Sequence, residues 1–396
     1  MAEWIDCKIA DLGTVIGGAT PSTKKLEYYE NGSIAWITPK DLSTFRGRYI
    51  RRGERNITEL GLKSCSTQLL PKNTVLFSSR APIGYIAIAE NELCTNQGFK
   101  SVIPNENTDP LFLYYLLKYN KNKIESMGSG TTFKEISGNT MKNIVVSVPR
   151  DKKVQEQISS MLGVIDNKIE SNEKINNNLE QQAEALFHSL FVEDVNPIWK
   201  EGVLSDLGTI VAGGTPSKTK PEYYSKKGIA WITPKDLSLN KSKFISHGEV
   251  DISELGFSKS STIKMPTGTV LFSSRAPIGY IAIAANEVTT NQGFKSVVPN
   301  ENVGTAFMYY LLKFLLPTIE GMASGSTFKE ISGAGMKSIP VVIPDNKTID
   351  KFNAFCTPIF QQQEVLEAEN SRLVDIRDVL LPKLMAGDLD VSSIEL

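Results

Sequence analysis

Two stretches of the chain carry apolar residues at heptad spacing, and each predicts a long helix. In the first stretch, the two rows with a seven-residue step are Ile158, Ile165, Asn172, Leu179 and Leu186, and Leu162, Ile169, Asn176, Ala183 and Leu190. In the second, they are Phe352, Ile359, Leu366, Leu373 and Leu380, and Cys356, Gln363, Asn370, Arg377 and Leu384. At 1.5 Å per residue, a helix over residues 158–190 is about 50 Å long.

Each of these helices needs a partner, because a single apolar seam cannot bury itself in water. The natural partner for each is the other, packed antiparallel. The Asn, Gln and Arg positions would then set the register. The alternative is two unrelated amphipathic helices, each packed on its own domain.

The segments outside the helices are two copies of one domain. The repeated strings are IAWITPKDLS from Ile34 and Ile229, LFSSRAPIGYIAIA from Leu76 and Leu271, and NQGFKSV from Asn96 and Asn291, all offset by 195 residues. Residues 18–149 align with residues 213–344 without a gap, and 81 of the 132 positions, about 61%, are identical. This self-similarity indicates a recent duplication.

The repeated unit has the pattern of a mixed α/β domain. Short β-branched runs (NTVLFSS, GTVLFSS) precede a Pro-Ile-Gly turn and the strand-like YIAIA, and helices are predicted at 111–119 and 306–316. Tyr114 and Tyr115 on the first helix serve either helix packing or base stacking.

Together these patterns predict an α+β protein. Two tandem α/β domains are joined by two long, antiparallel coiled-coil helices with pseudo-twofold symmetry. The expected segments are a first globular domain at 1–150, a first helix at 151–195, a second globular domain at 196–345, and a second helix with a C-terminal tail at 346–396.

Charge is segregated along the same boundaries. The whole chain of 396 residues has a net charge of −1, which taken alone argues against a polyanion-binding protein. The four segments, however, carry +5, −5, +3 and −4 in chain order. A polyanion would therefore bind the basic globular copies, and the acidic helices are better suited to protein partners.

Several function classes are excluded by missing motifs. Four scattered cysteines without CxxC spacing and two histidines support neither a disulfide framework nor a zinc site. There is no P-loop, GxGxxG, HExxH or GxSxG, so no cofactor and no catalysis are expected. Apolar runs are too short to span a bilayer and the N-terminus lacks a signal pattern, so we expect a cytoplasmic protein without a membrane partner.

Several motifs fall in the same order in both copies: GGATPS or GGTPS, Trp-Ile-Thr-Pro, Leu-Phe-Ser-Ser-Arg, Asn-Gln-Gly and Ser-Gly-Thr/Ser-Thr. With the closing LLPKLMAGDL, they make essentially the whole chain resemble the DNA-specificity subunit of type I restriction-modification enzymes. The resemblance implies that each globular copy is a target recognition domain reading double-stranded DNA. It also implies that the helices are spacers that dock two adenine-methyltransferase subunits, that restriction subunits complete the enzyme, and that this chain is not catalytic.

The antiparallel helices imply two half-sites separated by a fixed, unread spacer. Members of this family usually read two different half-sites, whereas the 61% identity predicts the same or nearly the same half-site twice, in inverted orientation. The target is then a near-palindromic interrupted sequence with a methylatable adenine on each strand. Alternatives are the specificity chain of a two-subunit system with a fused methyltransferase-nuclease, and a duplicated binding protein with no nucleic-acid partner.

Polar residues that are identical in both copies are the candidate base readers, since Arg and Lys suit guanine and Asn and Gln suit adenine. They are Lys40 and Lys235, Arg80 and Arg275, Asn96 and Asn291, Gln97 and Gln292, Lys100 and Lys295, and Lys134 and Lys329. Each identity is equally open to a structural explanation. In the glycine turn, Thr20, Ser22, Thr215 and Ser217 either donate to phosphate or cap the next helix.

A basic stretch in the first copy is only partly retained in the second. Arg46, Arg48, Arg51, Arg52 and Arg55 correspond to Lys241, Lys243, Ser246, His247 and Val250. Charge kept at the first two positions predicts phosphate contacts by Arg46, Arg48, Lys241 and Lys243. Alternatively, this loop carries any difference in specificity between the two domains.

Overall fold

The computed structural model describes residues 3–130, 134–325 and 329–391. Residues 131–133 and 326–328, which hold part of the Ser-Gly-Thr/Ser-Thr motif, lie outside the described chain. The fold divides into two compact units, one formed by residues 1–171 with 371–396 and the other by residues 172–370. Each unit therefore contains one globular copy together with a section of both long helices.

Among its described residues, the first unit contains ten strands, the start of the first long helix and the end of the second. The strands are β1 (Trp4–Lys8), β2 (Gly13–Gly17), β3 (Ile34–Ile37), β4 (Tyr49–Ile50), β5 (Asn56–Ile57), β6 (Val75–Ser79), β7 (Ile83–Ala89), β8 (Cys94–Thr95), β9 (Lys100–Pro104) and β10 (Val145–Pro149). The helices are α1 (Ile9–Leu12), α2 (Pro39–Thr44), α3 (Glu59–Lys63), α4 (Pro110–Tyr119), α5 (Lys121–Ser126), α6 (Gly138–Asn143) and α7 (Lys152–His188), with a 3-10 turn at Leu26–Tyr28.

A five-stranded sheet in the order β2-β9-β6-β7-β4 organises this domain. Only the β4–β7 pair is parallel. The central strand β6 is buried throughout, since Val75 and Phe77 join the core under helix α4 while Leu76 joins a second core with Ile37 and Leu42. Burial on both faces explains why the segment 75–77, VLF, is a continuous apolar run instead of an alternating one.

The second unit repeats this arrangement. Its strands are β11 (Lys200–Val203), β12 (Gly208–Ala212), β13 (Tyr224–Ser225), β14 (Trp231–Ile232), β15 (Phe244–Ile245), β16 (Asp251–Ile252), β17 (Val270–Ser274), β18 (Ile278–Ala284), β19 (Thr289–Thr290), β20 (Lys295–Pro299) and β21 (Pro340–Ile343). Its helices are α8 (Leu204–Leu207), α9 (Pro234–Leu239), α10 (Glu254–Ser258), α11 (Thr305–Phe314), α12 (Leu316–Met322), α13 (Gly333–Lys337) and α14 (Asn346–Met385), with a π turn at Ser189–Glu193 that continues α7 and a 3-10 turn at Pro221–Tyr223. The main sheet has the matching order β12-β20-β17-β18-β15.

The two long helices pair within each unit, as the heptads predict. In the first unit, Ile158 and Leu162 of α7 share a core with Leu381 and Leu384 of α14. In the second, Phe187 of α7 packs on Phe352 of α14, with their ring centroids 5.7 Å apart. The alternative of two unpaired helices does not hold.

Polar seam residues meet one another where the apolar rows are interrupted. Asn172 donates to Asn370 at 2.8 Å, and Gln363 donates to the backbone oxygen of Asn176 at 3.2 Å. Residue numbers rise along α7 as they fall along α14, so the helices run antiparallel in this unit. Buried amide pairs of this kind specify register, because any slip leaves them without partners.

Among the described helices, none combines the length and apolar character that crossing a membrane requires. The described residues also contain no group of His, Cys, Asp or Glu side chains arranged to hold a metal ion.

Candidate nucleic-acid interface

One edge of the main sheet gathers most of the candidate residues of the first domain. Strand β2 ends there, β9 begins there with Lys100 opposite Gly17, and β6 ends there before Arg80. The turn that holds Gln97 is attached to this edge, because Ser79 donates its backbone N–H to Gly98 at 2.7 Å.

Glycine is required where the turn after β2 meets the turn that holds Gln97. A Cβ built on Gly18 would lie 2.2 Å from the backbone oxygen of Asn96, and one on Gly213 would lie 1.9 Å from that of Asn291. Only a residue without a side chain permits this approach. The glycine of the repeated GGATPS and GGTPS motif therefore positions the threonine that follows.

That threonine hydrogen-bonds the candidate glutamine in both domains. Thr20 donates to the side-chain oxygen of Gln97, and Thr215 donates to that of Gln292. This contact orients the amide, and both glutamines are exposed. The capping alternative is not observed, because the following 3-10 turns, Leu26–Tyr28 and Pro221–Tyr223, have no side-chain cap. Ser22 and Ser217 are exposed.

Asn96 and Asn291 shape the turn instead of facing outward. The side-chain oxygen of each accepts the backbone N–H two residues later, Gly98 and Gly293, at 2.8 Å. This is the local turn that asparagine commonly stabilises. It explains the identity of the two residues on structural grounds.

A carboxylate joins two of the candidate cations in the first domain. Glu135 lies 3.4 Å from the guanidinium of Arg80 and 3.4 Å from the ammonium of Lys100. The Lys100 side chain is 15% exposed and also reaches the hydroxyl of Ser79 at 3.4 Å. Arg80 and Glu135 are about one-third exposed, so this group lies at the surface of the sheet edge.

The second domain has the same bridge. Glu330 lies 3.3 Å from Arg275 and 3.5 Å from Lys295, whose side chain is 11% exposed. Sequence reasoning missed Glu135 and Glu330. The signal that could have found them was their identity in the two copies, directly after the candidate lysines Lys134 and Lys329, which are both exposed.

Lys40 and Lys235 extend outward from the helices next to the Gln97 and Gln292 turns. Each begins its helix beside a proline that packs on the turn glycine. Lys40 pairs with Glu54 at 2.7 Å and Lys235 with Glu249 at 2.6 Å, and hydrogen bonding to these carboxylates raises the pKa of both lysines. Both pairs are exposed, so solvent screens them and each contributes little to stability.

The prediction of phosphate contacts does not fit Arg48 or Lys243. Arg48 is 4% exposed, and its Nε lies 2.9 Å from Glu170 of α7. The Lys243 side chain is 6% exposed and pairs with Glu180 of α7, with Gln363 of α14 accepting at 2.7 Å. Both cations fix a globular domain to the helices, so we leave them out of the proposed interface.

The neighbouring positions of the basic stretch remain at the surface. Arg46 is exposed, and Lys241 is exposed with its ammonium 4.7 Å from the centroid of the Tyr280 ring. Arg51, Arg52 and their counterparts Ser246 and His247 are exposed as well.

Tyr114 and Tyr115 belong to the core. Both are buried, and the Tyr115 hydroxyl donates to Asp166 of α7 at 2.6 Å. In the second domain, Tyr310 donates to Glu180 at 2.9 Å. The helix-packing interpretation is therefore the one that fits the structure.

Sequence comparison matches this duplicated arrangement to a known family. The profile described as the type I restriction modification DNA specificity domain matches residues 1–181 and again residues 197–367. The chain belongs to the family of type I DNA-specificity subunits. Both of its globular copies are thus target recognition domains of that family.

Relatives of this specificity subunit span its full length. The specificity subunit of the type I restriction enzyme MjaIX from Methanocaldococcus jannaschii is 34% identical over 99% of this chain and 95% of its own length. That of HindI from Haemophilus influenzae is 23% identical over 98% of this chain and all of its own length. The crystal structure of a type I restriction-modification S subunit from M. genitalium superposes with a TM-score of 0.65 at 19% identity, covering 97% of this chain and 96% of that one, which supports the fold.

Proposed function

We propose that this specificity subunit is non-catalytic and recognises an interrupted, bipartite and near-palindromic site in double-stranded DNA. It docks two adenine-methyltransferase subunits and, through them, restriction subunits. It acts in the cytoplasm without a cofactor. The observation that carries the proposal is the recurrence of one polar set, Thr, Gln, Arg and Lys, with the same contacts at the same sheet edge of both domains.

The sheet edge supplies two kinds of contact. Gln97 and Arg80, with their counterparts Gln292 and Arg275, present planar groups held by Thr and Glu neighbours, which suits hydrogen bonding to base edges. Lys40, Lys134 and their counterparts are exposed, which suits contacts with phosphates. The contacts to base edges determine which DNA sequence is recognised, and the contacts to phosphates supply affinity.

The similarity of the two edges supports nearly identical half-sites. The glutamine and arginine have the same hydrogen-bond partners in both copies, so each would address the same bases. The inverted orientation of the half-sites rests on the approximate twofold relation that the antiparallel helices predict for the two domains.

The outer surfaces of the helices support docking of protein partners. Both helical segments are acidic, and each exposes large apolar side chains, Val164 and Ile175 on α7 and Val365 and Val379 on α14. Exposed apolar residues on a helix that is already paired favour a further protein contact. The negative charge disfavours DNA at the same surface.

Co-expression with the methyltransferase of the same system, followed by mapping of methylated adenines, tests the proposal. We expect one interrupted motif with the same half-site on each strand. Two unrelated half-sites would refute the near-palindrome. If an intact complex shows no sequence-dependent methylation, the proposed function is refuted. Co-purification shows whether the methyltransferase and the nuclease are separate partners or one polypeptide.

A further inference from the structure

We propose that Glu135 and Glu330 are specificity-determining residues that keep DNA phosphates away from the two cations beside each of them. The inference rests on the proposed DNA-reading function. Each carboxylate makes Arg80 and Lys100, or Arg275 and Lys295, poor partners for a backbone phosphate while leaving them able to meet a base edge.

The backbone of each glutamate is anchored by hydrogen bonds at and next to the residue. Glu135 donates its N–H to Ser129 at 2.9 Å, and Ile136 donates to the backbone oxygen of Ser79 at 3.0 Å. In the second domain, Glu330 donates to Ser324 at 2.9 Å and Ile331 donates to Ser274 at 3.1 Å. The backbone of the glutamate therefore stays at the sheet edge, and its carboxylate remains within reach of the two cations even when a ligand displaces it from them.

A phosphate at this edge meets an unfavourable field. It must displace Glu135 from the two cations and then remain close to that carboxylate, so like charges repel. A guanine edge offers only neutral acceptors, and its penalty beside a carboxylate is smaller. The discrimination is thus a difference between two affinities, produced by a repulsive element.

The two copies differ at about two-fifths of their aligned positions, yet both retain the three residues of the bridge. The two distances of each bridge also agree closely, 3.4 and 3.4 Å against 3.3 and 3.5 Å. A purely structural tie between loop and strand would account for this recurrence too. The two explanations predict opposite changes in binding to non-cognate DNA.

The test uses the full chain in complex with its methyltransferase, as wild type and as E135Q/E330Q. Binding is measured at several salt concentrations to a duplex of about 30 base pairs with the mapped site and to one without it. We expect E135Q/E330Q to bind the duplex without the site about three- to tenfold more tightly. The slope of the logarithm of its binding constant against the logarithm of the salt concentration should steepen by about 0.9 for each phosphate newly contacted. Affinity for the mapped site should change less, so the specificity ratio falls.

The matched control is E27Q/E222Q. These glutamates also occupy equivalent positions of the two copies and also pair with lysines, Lys25 and Lys220, at 3.8 Å. The substitution removes the same charge away from the sheet edge. We expect its affinities and salt dependence to match those of wild type.

Three results would overturn the inference. The first is unchanged affinity of E135Q/E330Q for the duplex without the site, and the second is an equal gain in affinity in the control variant. The third is weaker binding to both duplexes together with a lowered melting temperature, which indicates a structural role for the glutamates. If E135Q/E330Q does not fold, the single variants E135Q and E330Q carry the test with about half the logarithmic effect. A wild-type complex that does not distinguish the two duplexes would refute the proposed function instead.

Discussion

The guanidinium of Arg48 and the carboxylate of Glu170 form a partly buried ion pair, 2.9 Å apart, between the first recognition domain and helix α7. The same carboxylate accepts the backbone N–H of Arg48 at 3.2 Å. The guanidinium also donates to the backbone oxygen of Gly163 at 3.4 Å. Burial disfavours the charged guanidinium, but Glu170, Tyr115 and Asp166 together outweigh burial and raise the pKa of Arg48.

We expect Arg48→Met to lower the free energy of unfolding by about 1–3 kcal/mol. The substitution removes the guanidinium from Glu170 and from a helix carbonyl, but Glu170 keeps the backbone N–H of residue 48, is partly exposed and can be reached by water. Arg48→Lys, which imitates the residue of the second copy, should lose less. Thermal unfolding of both variants checks the order, and equal stability of Arg48→Met and wild type would contradict the anchoring role.

The second anchor predicts a pH dependence. Burial favours the neutral form of Glu180, but pairing with Lys243 and Lys313 outweighs burial and lowers the pKa of Glu180 to about 2, from an ordinary value of 4.5. Because the folded pKa is lowered, the stabilisation is fully present above about pH 4.5 and is lost as the pH falls towards 2.

Wild type should therefore lose stability over this range more steeply than Glu180→Gln, by at most about 3 kcal/mol. Melting temperatures of both proteins at pH 6, 4.5 and 3 measure the difference. Parallel curves for the two proteins would show that Glu180 does not titrate differently on folding.

Arg80→Lys with Arg275→Lys should relax specificity at one base of each half-site. Lysine keeps the charge but loses the planar, bidentate donor set, and a bidentate contact with guanine is worth about 1–3 kcal/mol of discrimination. Adenine methylation mapped genome-wide reports the result as additional motifs that differ at a single position. An unchanged motif would remove these arginines from base reading.

Lys40→Ala with Lys235→Ala should instead weaken binding to all duplexes similarly. The two lysines are expected to neutralise phosphates. The slope of the logarithm of the binding constant against the logarithm of the salt concentration should therefore become shallower by about 0.9 for each phosphate that is no longer neutralised. Titrations at 50–200 mM salt measure it, with the methylated motif unchanged. A changed motif would make these lysines base readers.

The loop that differs between the two copies can be converted from one version to the other. We expect Arg51→Ser with Arg52→His to weaken binding and reduce its salt dependence, because two exposed charges leave the surface. The opposite finding, constant affinity with a new preferred base in one half-site, would assign the loop to sequence recognition and explain how two similar domains come to read different half-sites.

The sequence by itself determined the duplication, the two helices and their antiparallel pairing. Heptad rows record burial along a single element, so Leu162 and Ile359 could be assigned to a seam without knowledge of their surroundings. The identity of the copies likewise directed attention to Arg80, Gln97 and Lys100, and the structure brings them to one edge.

Only the tertiary structure decided which charges are free to act. Arg48 and Arg46 read alike in the sequence, yet Arg48 meets a carboxylate 122 positions away and is buried, whereas Arg46 is exposed. The role of Glu135 depends on Arg80, which lies 55 positions away in the sequence. Charge carries no periodic signature. The role of an ionic side chain is set by the partner that folding brings within a few ångströms, because Coulomb attraction and desolvation both depend on that distance and on the burial around it.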